Sequence, residues 1–306
     1  MVKHKSDEVG WIVRIAEWAA RIPHGRTVRA IGDDCAIFRP RGSAEDLLFT
    51  TDLLIENIHF KRRTHGAGDI GWKALARGLS DIAAMGGDPR FCLLSLGVPC
   101  WADDRWMKHF YRGLLDLASR ERTPLIGGDL GRAERLTCDI VVCGAVARGK
   151  ALRRDGARAG DAIYVSGALG GSALGLAKRR GPAWRRHLRP EPRLDLGRFL
   201  RQRLHATAAM DLSDGLSLDL HRLASASELE AVIETPPVYR GATVEQALHG
   251  GEDYELLFTV RSGTRVPDDY EGIPLTRIGR MRNGPGSVLL DGAPLAPLGY
   301  DHFRKK

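Results

Sequence analysis

The sequence predicts a mixed α/β (α+β) protein of two domains. Three observations carry that expectation. The chain has 306 residues, about twice the ~150 of a typical domain. Strand-like apolar runs alternate with segments of helical spacing along its whole length. A second round of that alternation begins near Lys150, so the expected domains are 1–149 and 150–306.

Each element has a local reason. Ser6 to Arg21 sets Val9, Ile12, Val13, Ala16 and Ala20 at helical spacing, with Ser6 as N-cap and Asp7 and Glu8 in the first turn. "DLLFTTD" reads as a strand. Gly68 to Gly86 reads as a helix closed by Gly86-Gly87 and then Asp88-Pro89. "RFCLLSLGVP" is a strand, Asp103 to Arg120 a helix, and "TPLIGGD" and "LTCDIVVCGAVARG" two further strands. In the second half "DAIYVSG" is a strand, and "LGGSALGLAKRR" starts a helix with glycines at its entrance. Pro182, Pro190 and Pro192 interrupt the basic stretch Lys178 to Arg193, which reads as a long loop or helix connection. Leu194 to Leu204 and Gly215 to Ala226 are helices, and "LEAVIET", "YELLFTV", "LTRIGRM" and "SVLLDG" end the chain as strands.

Composition narrows the function. With 43% hydrophobic and 27% charged residues the chain reads as a soluble protein with real cores. No apolar run approaches the ~18–20 residues of a membrane helix, and "MVKHKSDEVG" lacks the apolar region of a secretory signal. The five cysteines (Cys35, Cys92, Cys100, Cys138, Cys143) form no C-x-x-C pair, which predicts reduced thiols in a cytoplasmic protein and no zinc site. The net charge of +8 is concentrated in "KRRGPAWRRHLRPEPR". A solvated basic face, or a guide for a phosphorylated substrate, accounts for it. Without a zinc-finger or RNP-type signature, nucleic acid is not the expected partner.

Acids recur beside apolar runs and glycines: Asp33 and Asp34 in "IGDDCAIF", Asp52 in "LLFTTD", Asp81 in "ARGLSDIAAMGG", Asp129 in "LIGGD", and Asp211 and Asp214 in "MDLSDG". Singly, each has a plain explanation. Asp33-Asp34 suits a turn, and alternation lets only one of the two face a site. Asp81 follows Arg77 by four residues, the spacing of a helical ion pair. Asp129 suits a helix N-cap. Five segments sharing one arrangement point instead to convergence. Buried carboxylates need a positive partner, and carboxylates with Thr hydroxyls suit a hard cation such as Mg²⁺.

Two more features bear on chemistry. "SGALGGSALGL" joins a strand to a helix, a geometry that offers backbone N–H groups to phosphate, although no Walker lysine is present. "HGGEDYELLF" reads as a tight turn before a strand, or as a recognition element that holds a polar ring through Glu252.

Taken in order, "IGDDCA", "TTDLLIENIHF", "ALARGLSDIAAMGGDP", "LIGGD", "DLSDG", "GGEDYEL" and "GYDHF" resemble the thiamine-monophosphate kinases of the aminoimidazole-ribonucleotide-synthetase-like superfamily, from about Val9 to Phe303. The resemblance implies a two-domain synthetase-like fold whose N-terminal domain forms the sheet or barrel of a homodimer, with a C-terminal α/β domain completing the nucleotide site. It implies ATP and thiamine phosphate as substrates and several Mg²⁺ ions. Carried over by position, Asp34, Asp129, Asp211 and Asp214 are catalytic acids, and Thr50, Thr51, Asp52 and Asp81 join them as metal ligands. Tyr111, Gly128, Asp129, Arg154 and Ser213 contact ATP; His59, Glu252 and Tyr300 contact thiamine phosphate. Two other readings of the acids are an enzyme like selenophosphate synthetase and a non-catalytic Mg²⁺–nucleotide binder. The first is opposed by the position of the first cysteine, Cys35, inside the acidic motif.

Overall fold

The computed structural model describes residues 8–303, so the expected Ser6 cap and Asp7 lie outside the described residues. The first half runs α1 (Glu8–Ala19), β1 (Thr27–Arg29), β2 (Ala36–Phe38), β3 (Glu45–Ile55), α2 (Ala67–Ala84), β4 (Asp88–Val98), α3 (Asp104–Arg120), β5 (Leu125–Arg132) and β6 (Thr137–Ala147). A 3₁₀ turn at Arg154–Gly156 leads into the second half. There follow β7 (Ala162–Ser166), α4 (Gly171–Lys178), α5 (Gly181–Leu188), α6 (Leu194–Phe199), β8 (Ala208–Asp211), α7 (Leu216–Ala226), β9 (Leu229–Ile233), α8 (Val244–His249) and β10 (Leu256–Val260). The chain finishes with β11 (Asp269–Tyr270), β12 (Ile273–Asn283), β13 (Val288–Leu290) and β14 (Ala293–Pro294).

The helix ends follow their sequence signals. The Asp103 side chain accepts from the Trp106 N–H at 2.7 Å and caps α3. Gly86, at φ +65°, lets the chain reverse after α2, with the Gly86 and Gly87 N–H groups donating to Ala83 and Ile82. One expectation is corrected. The proline-bearing basic stretch is not a long loop, because residues 181–188 form α5 with Pro182 in its first turn. Proline is tolerated there, since that N–H has no intrahelical partner. A second helix, α8, lies outside the elements expected from apolar pattern, although Thr243 and Gln246 form a capping box, a signal present in the sequence.

Six strands form the first sheet in the order β1-β2-β3-β6-β4-β5, antiparallel except for the parallel β4–β5 pair. The second sheet runs β14-β13-β9-β12-β7-β10-β8. Strand β10 joins two cores by alternation: Leu256, Phe258 and Val260 enter the first, while Leu257 enters the second with α7. Helix α2 lies between β3 and β6 of one sheet and β8 of the other. Its apolar residues from Ile70 to Ala84 are buried nearly all round, as expected of a helix with no solvent face.

Candidate active site

A buried helix cannot carry polar side chains without partners. Helix α2 carries Lys73, Arg77, Ser80 and Asp81, whose spacing puts them on one stripe. Each is matched by a group from another segment. Lys73 Nζ lies 2.8 Å from Glu252. Arg77 lies 2.8 Å from Asp52 on β3. Ser80 Oγ donates to Asp211 at 2.7 Å. Thr50 Oγ1 donates to Asp81 at 2.5 Å. The helical ion pair between Asp81 and Arg77 is therefore not what the structure shows, because Arg77 reaches across to β3.

Carboxylate oxygens of Asp34, Asp81 and Asp211 lie within 4.8 Å of one another. Asp211 ends β8 and is 2% exposed; Asp34 is 7% exposed. Burial raises the Asp81 and Asp211 carboxyls well above the usual range, and neighbouring acids raise them further. Arg154, from the turn between the sheets, donates to Asp34. One Asp34 oxygen remains buried without a partner. This set of hard oxygen donors with an unsatisfied oxygen fits Mg²⁺. Of the two adjacent acids, Asp34 joins the cluster, while Asp33 turns back to accept from the Asp34 and Arg154 N–H groups at 3.1 and 3.3 Å. Burial and then the Asp34 charge push Asp33 up to about 7.

The loop after β8 separates its acids by role. Asp219, on α7, accepts from the Asp214 and Gly215 N–H groups, both at 3.0 Å, and so holds the turn. Arg222 neutralises Asp219 at 2.9 Å and Asp214 at 2.5 Å. Asp214 also lies close enough to Asp52 to raise that carboxyl, after burial and against Arg77. A second loop is laced to the first. Glu252 N–H donates to Ser213 O at 2.7 Å, and Tyr254 N–H to Leu212 O at 2.9 Å.

Glu252 thus sits beside the acids with its backbone at φ +64°. Burial opposes its ionisation, but Lys73 and His187 outweigh that and hold its carboxyl at about 2. Burial lowers His187 to about 3 and His65 to about 4, so both rings are neutral near pH 7. The C-terminal tail closes the same region. Tyr300 N–H donates to Asp214 O at 2.9 Å, and the His302 ring lies 4.9 Å from Tyr300 and 5.0 Å from His59. His59 Nδ1 accepts from the Ile55 N–H at 3.0 Å, which leaves the proton on its buried, unpartnered Nε2.

Comparison with known proteins identifies the family. Residues 32–146 match the N-terminal domain of AIR synthase related proteins, and 158–291 match the C-terminal domain. The thiamine-monophosphate kinase of Escherichia coli strain K12 is 39% identical over 302 residues, covering 89% of this chain and 91% of its own. That of Aquifex aeolicus is 34% identical over 297 residues, covering 90% and 93%. The chain belongs to the thiamine-monophosphate kinase family. A solved structure described as "AaThiL complexed with AMPPCP and TMP" has a TM-score of 0.87 at 33% identity, covering 97% of both chains. Hydrogenase maturation protein HypE in complex with ATP shares the fold, with a TM-score of 0.66 at 18% identity over 88% of this chain and 86% of its own.

Not every residue suggested by likeness to thiamine-monophosphate kinases converges within one chain. Paired residues share a face of a sheet. The register aligns Leu53, Asp139, Ser95 and Asp129 on the face away from α2. Asp129 is therefore a strand residue, not a helix cap, and is exposed opposite the acid cluster. Thr51 is also exposed and donates to Asp139 at 2.6 Å, so its side chain is separated from Thr50 by strand alternation. Gly128 packs so closely on β4 that a Cβ would lie 1.8 Å from Leu94 O. Tyr111 rests on α3 against Phe110 and the first core.

The glycine-rich loop before α4 is a further correction. Its N–H groups already hold an anion: Asp253 accepts from Gly170 at 2.5 Å and Ser172 at 3.0 Å. An internal carboxylate occupies the position expected for phosphate. Part of the basic stretch serves the fold. Arg186 and Arg193 reach buried Glu255 at 2.8 and 2.5 Å, and Arg189 reaches Asp69 at 2.5 Å. Asp253→Ala is expected to cost about 2–3 kcal/mol by stranding two N–H donors and one ion-pair partner. A urea unfolding midpoint at the wild-type value would contradict it.

Proposed function

We propose that this chain transfers the terminal phosphoryl group of ATP to thiamine phosphate, giving ADP and thiamine diphosphate by in-line displacement. The observation that carries the reading is the convergence of Asp34, Asp81 and Asp211 beside the loop that presents Glu252. Asp34, Thr50, Asp52, Asp81, Asp211 and Asp214 are the assigned Mg²⁺ ligands within one chain. When bound, the ions offset phosphate charge and align the reacting oxygens. That help is needed, since like charges 4 Å apart repel by about 4 kcal/mol at an effective dielectric of ~20.

No general base is required. The second pKa of an acceptor phosphate is roughly 6, so its attacking oxygen is already ionised at neutral pH. Burial, with Arg77 and His302 nearby, keeps His59 at about 3. It serves as an N–H donor from Nε2 to the substrate. Glu252, held ionised by Lys73, accepts from the aminopyrimidine, and Tyr300 faces the thiazolium cation. Arg154 and Ser213 border the nucleotide phosphates.

A homodimer completes the assignment. Leu53, Ile126 and Leu130 are 46%, 59% and 63% exposed on or beside the outer sheet face and the β5 edge, where a second copy would cover them. Thr51, Tyr111, Gly128 and Asp129 then serve the nucleotide site of the paired copy. Residues 1–149 act as the metal, ATP and dimerisation domain, and 150–306 complete the site. Among the described residues no helix is long and apolar enough to cross a membrane, and the five free cysteines suit the cytoplasm.

Incubation with ATP, Mg²⁺ and thiamine phosphate tests the reading. Thiamine diphosphate and ADP in equal amounts are expected; ATP binding without that product would leave only a nucleotide binder. Tyr300→Ala is expected to raise KM for thiamine phosphate about 2–30-fold, the loss of a cation–π contact worth ~0.5–2 kcal/mol, with kcat nearly unchanged. An unaltered KM would remove Tyr300 from the site.

A further inference from the structure

A second cleft of about 870 Å³ opens where the first sheet, the 151–158 linker and the second sheet meet. None of the clustered acids lines it. Its floor is apolar, with Ile37, Leu204 and Ala206 at 2%, 7% and 8% exposure. Its wall is basic, carrying Lys150, Arg158, Arg203 and Arg261 on exposed positions. The acid on the lining, Asp46, is already satisfied by Arg39 at 2.6 Å and the Gly149 N–H at 2.8 Å. The four basic side chains enter no ion pair among the described residues. In this they differ from Arg186 and Arg193, which serve as counter-ions to buried Glu255. Converging cations without counter-ions above an apolar floor make a site for an anion that carries, or borders on, a ring.

We propose that this cleft binds a small polyphosphate in its metal-free form. The two sites then select different ionic species. The acid cluster repels a bare polyphosphate and accepts it only with divalent cations. The basic cleft favours the bare anion, whose full charge is available to Lys150 and the arginines. The cleft is also connected to the acid turn. Arg153 lines it and pairs with Asp155 at 2.9 Å; Asp155 pairs with Arg29 at 3.2 Å; Arg29 pairs with Asp33 at 3.5 Å, next to Asp34. Arg153 lines the cleft, whereas its neighbour Arg154 donates to Asp34, so the linker serves both sites. An anion drawing Arg153 off Asp155 releases Asp155 to Arg29, and so reaches the metal-binding turn through a continuous set of charges.

Tripolyphosphate titrated into the full chain in EDTA, followed by calorimetry, tests the proposal. One saturable site per chain is expected, with affinity falling at least tenfold between 50 and 300 mM salt. The variant Arg158→Gln/Arg203→Gln/Arg261→Gln is expected to bind at least tenfold more weakly while unfolding at the wild-type temperature. If that triple variant does not fold, the single variants are each expected to weaken binding. Asp211→Asn is expected to bind within twofold of wild type. ATP binding more tightly than tripolyphosphate identifies a nucleotide as the source, and equal binding an inorganic chain; both support the site. Absence of saturable binding, full binding by the folded arginine variants, or loss in Asp211→Asn overturns it. So does an oligonucleotide that binds more tightly than either polyphosphate through the same arginines.

Discussion

Asp211→Asn is expected to lower turnover by about 10²–10³-fold while making the cation-free protein more stable at pH 8. Asparagine keeps an oxygen to accept from Ser80, which donates at 2.7 Å in the wild type, so the local packing survives. What disappears is one negative charge from a site where burial and neighbouring acids resist ionisation. The sign follows from linkage. A carboxyl whose folded pKa is raised favours the folded state while protonated, and that stability is lost as pH rises through the folded value. For Asp33 and Asp219, both raised to about 7, the loss runs from about pH 4 to just above 7. In EDTA the wild type should therefore lose stability on passing from pH 5 to 8, and Asp211→Asn should lose less. Saturating Mg²⁺ should reverse the order, stabilising the wild type more than the variant. Thermal unfolding in EDTA and in Mg²⁺ reads both signs. A variant less stable than wild type in EDTA at pH 8 would remove the electrostatic account of the cluster.

Lys73→Met carries the second large effect. Lys73 is 1% exposed and lies 2.8 Å from Glu252. The variant removes the nearest counter-charge of Glu252, whose side chain is 24% exposed, at about 1.5–3 kcal/mol. Because Lys73 is what chiefly keeps Glu252 ionised against burial, the carboxylate proposed to face the substrate should also lose charge. The expected result is a KM for thiamine phosphate at least tenfold higher with the KM for ATP little changed. Glu252→Gln should destabilise comparably by stranding the lysine. The double variant should recover much of the stability of the two single variants but none of the lost affinity. Additive stability losses across that cycle would show that the two side chains are not a coupled pair.

Much of the secondary structure is legible from local pattern, because caps, glycine stops and apolar periodicity are short-range effects. The Asp103 cap and the Gly86 reversal occur where the sequence puts them. The acids at 34, 81 and 211 are legible for a different reason: a carboxylate beside an apolar run is costly unless something converges on it. The stripe of Lys73, Arg77, Ser80 and Asp81 was equally visible as spacing, yet its meaning depended on α2 being enclosed. An exposed helix with the same residues would need no partners.

By itself, then, the sequence determined most of the helices and strands, though not α5 or α8, and which carboxylates require a positive neighbour. Tertiary structure alone decided the partners. It sent Asp253 to fill the glycine-rich loop, turned Asp129 and Thr51 to the far face of the first sheet, and sent Arg186 and Arg193 inward to Glu255. The physical reason is range. Propensity and alternation act over a few residues, whereas compensating a buried charge depends on which distant group the packing brings within about 3–4 Å.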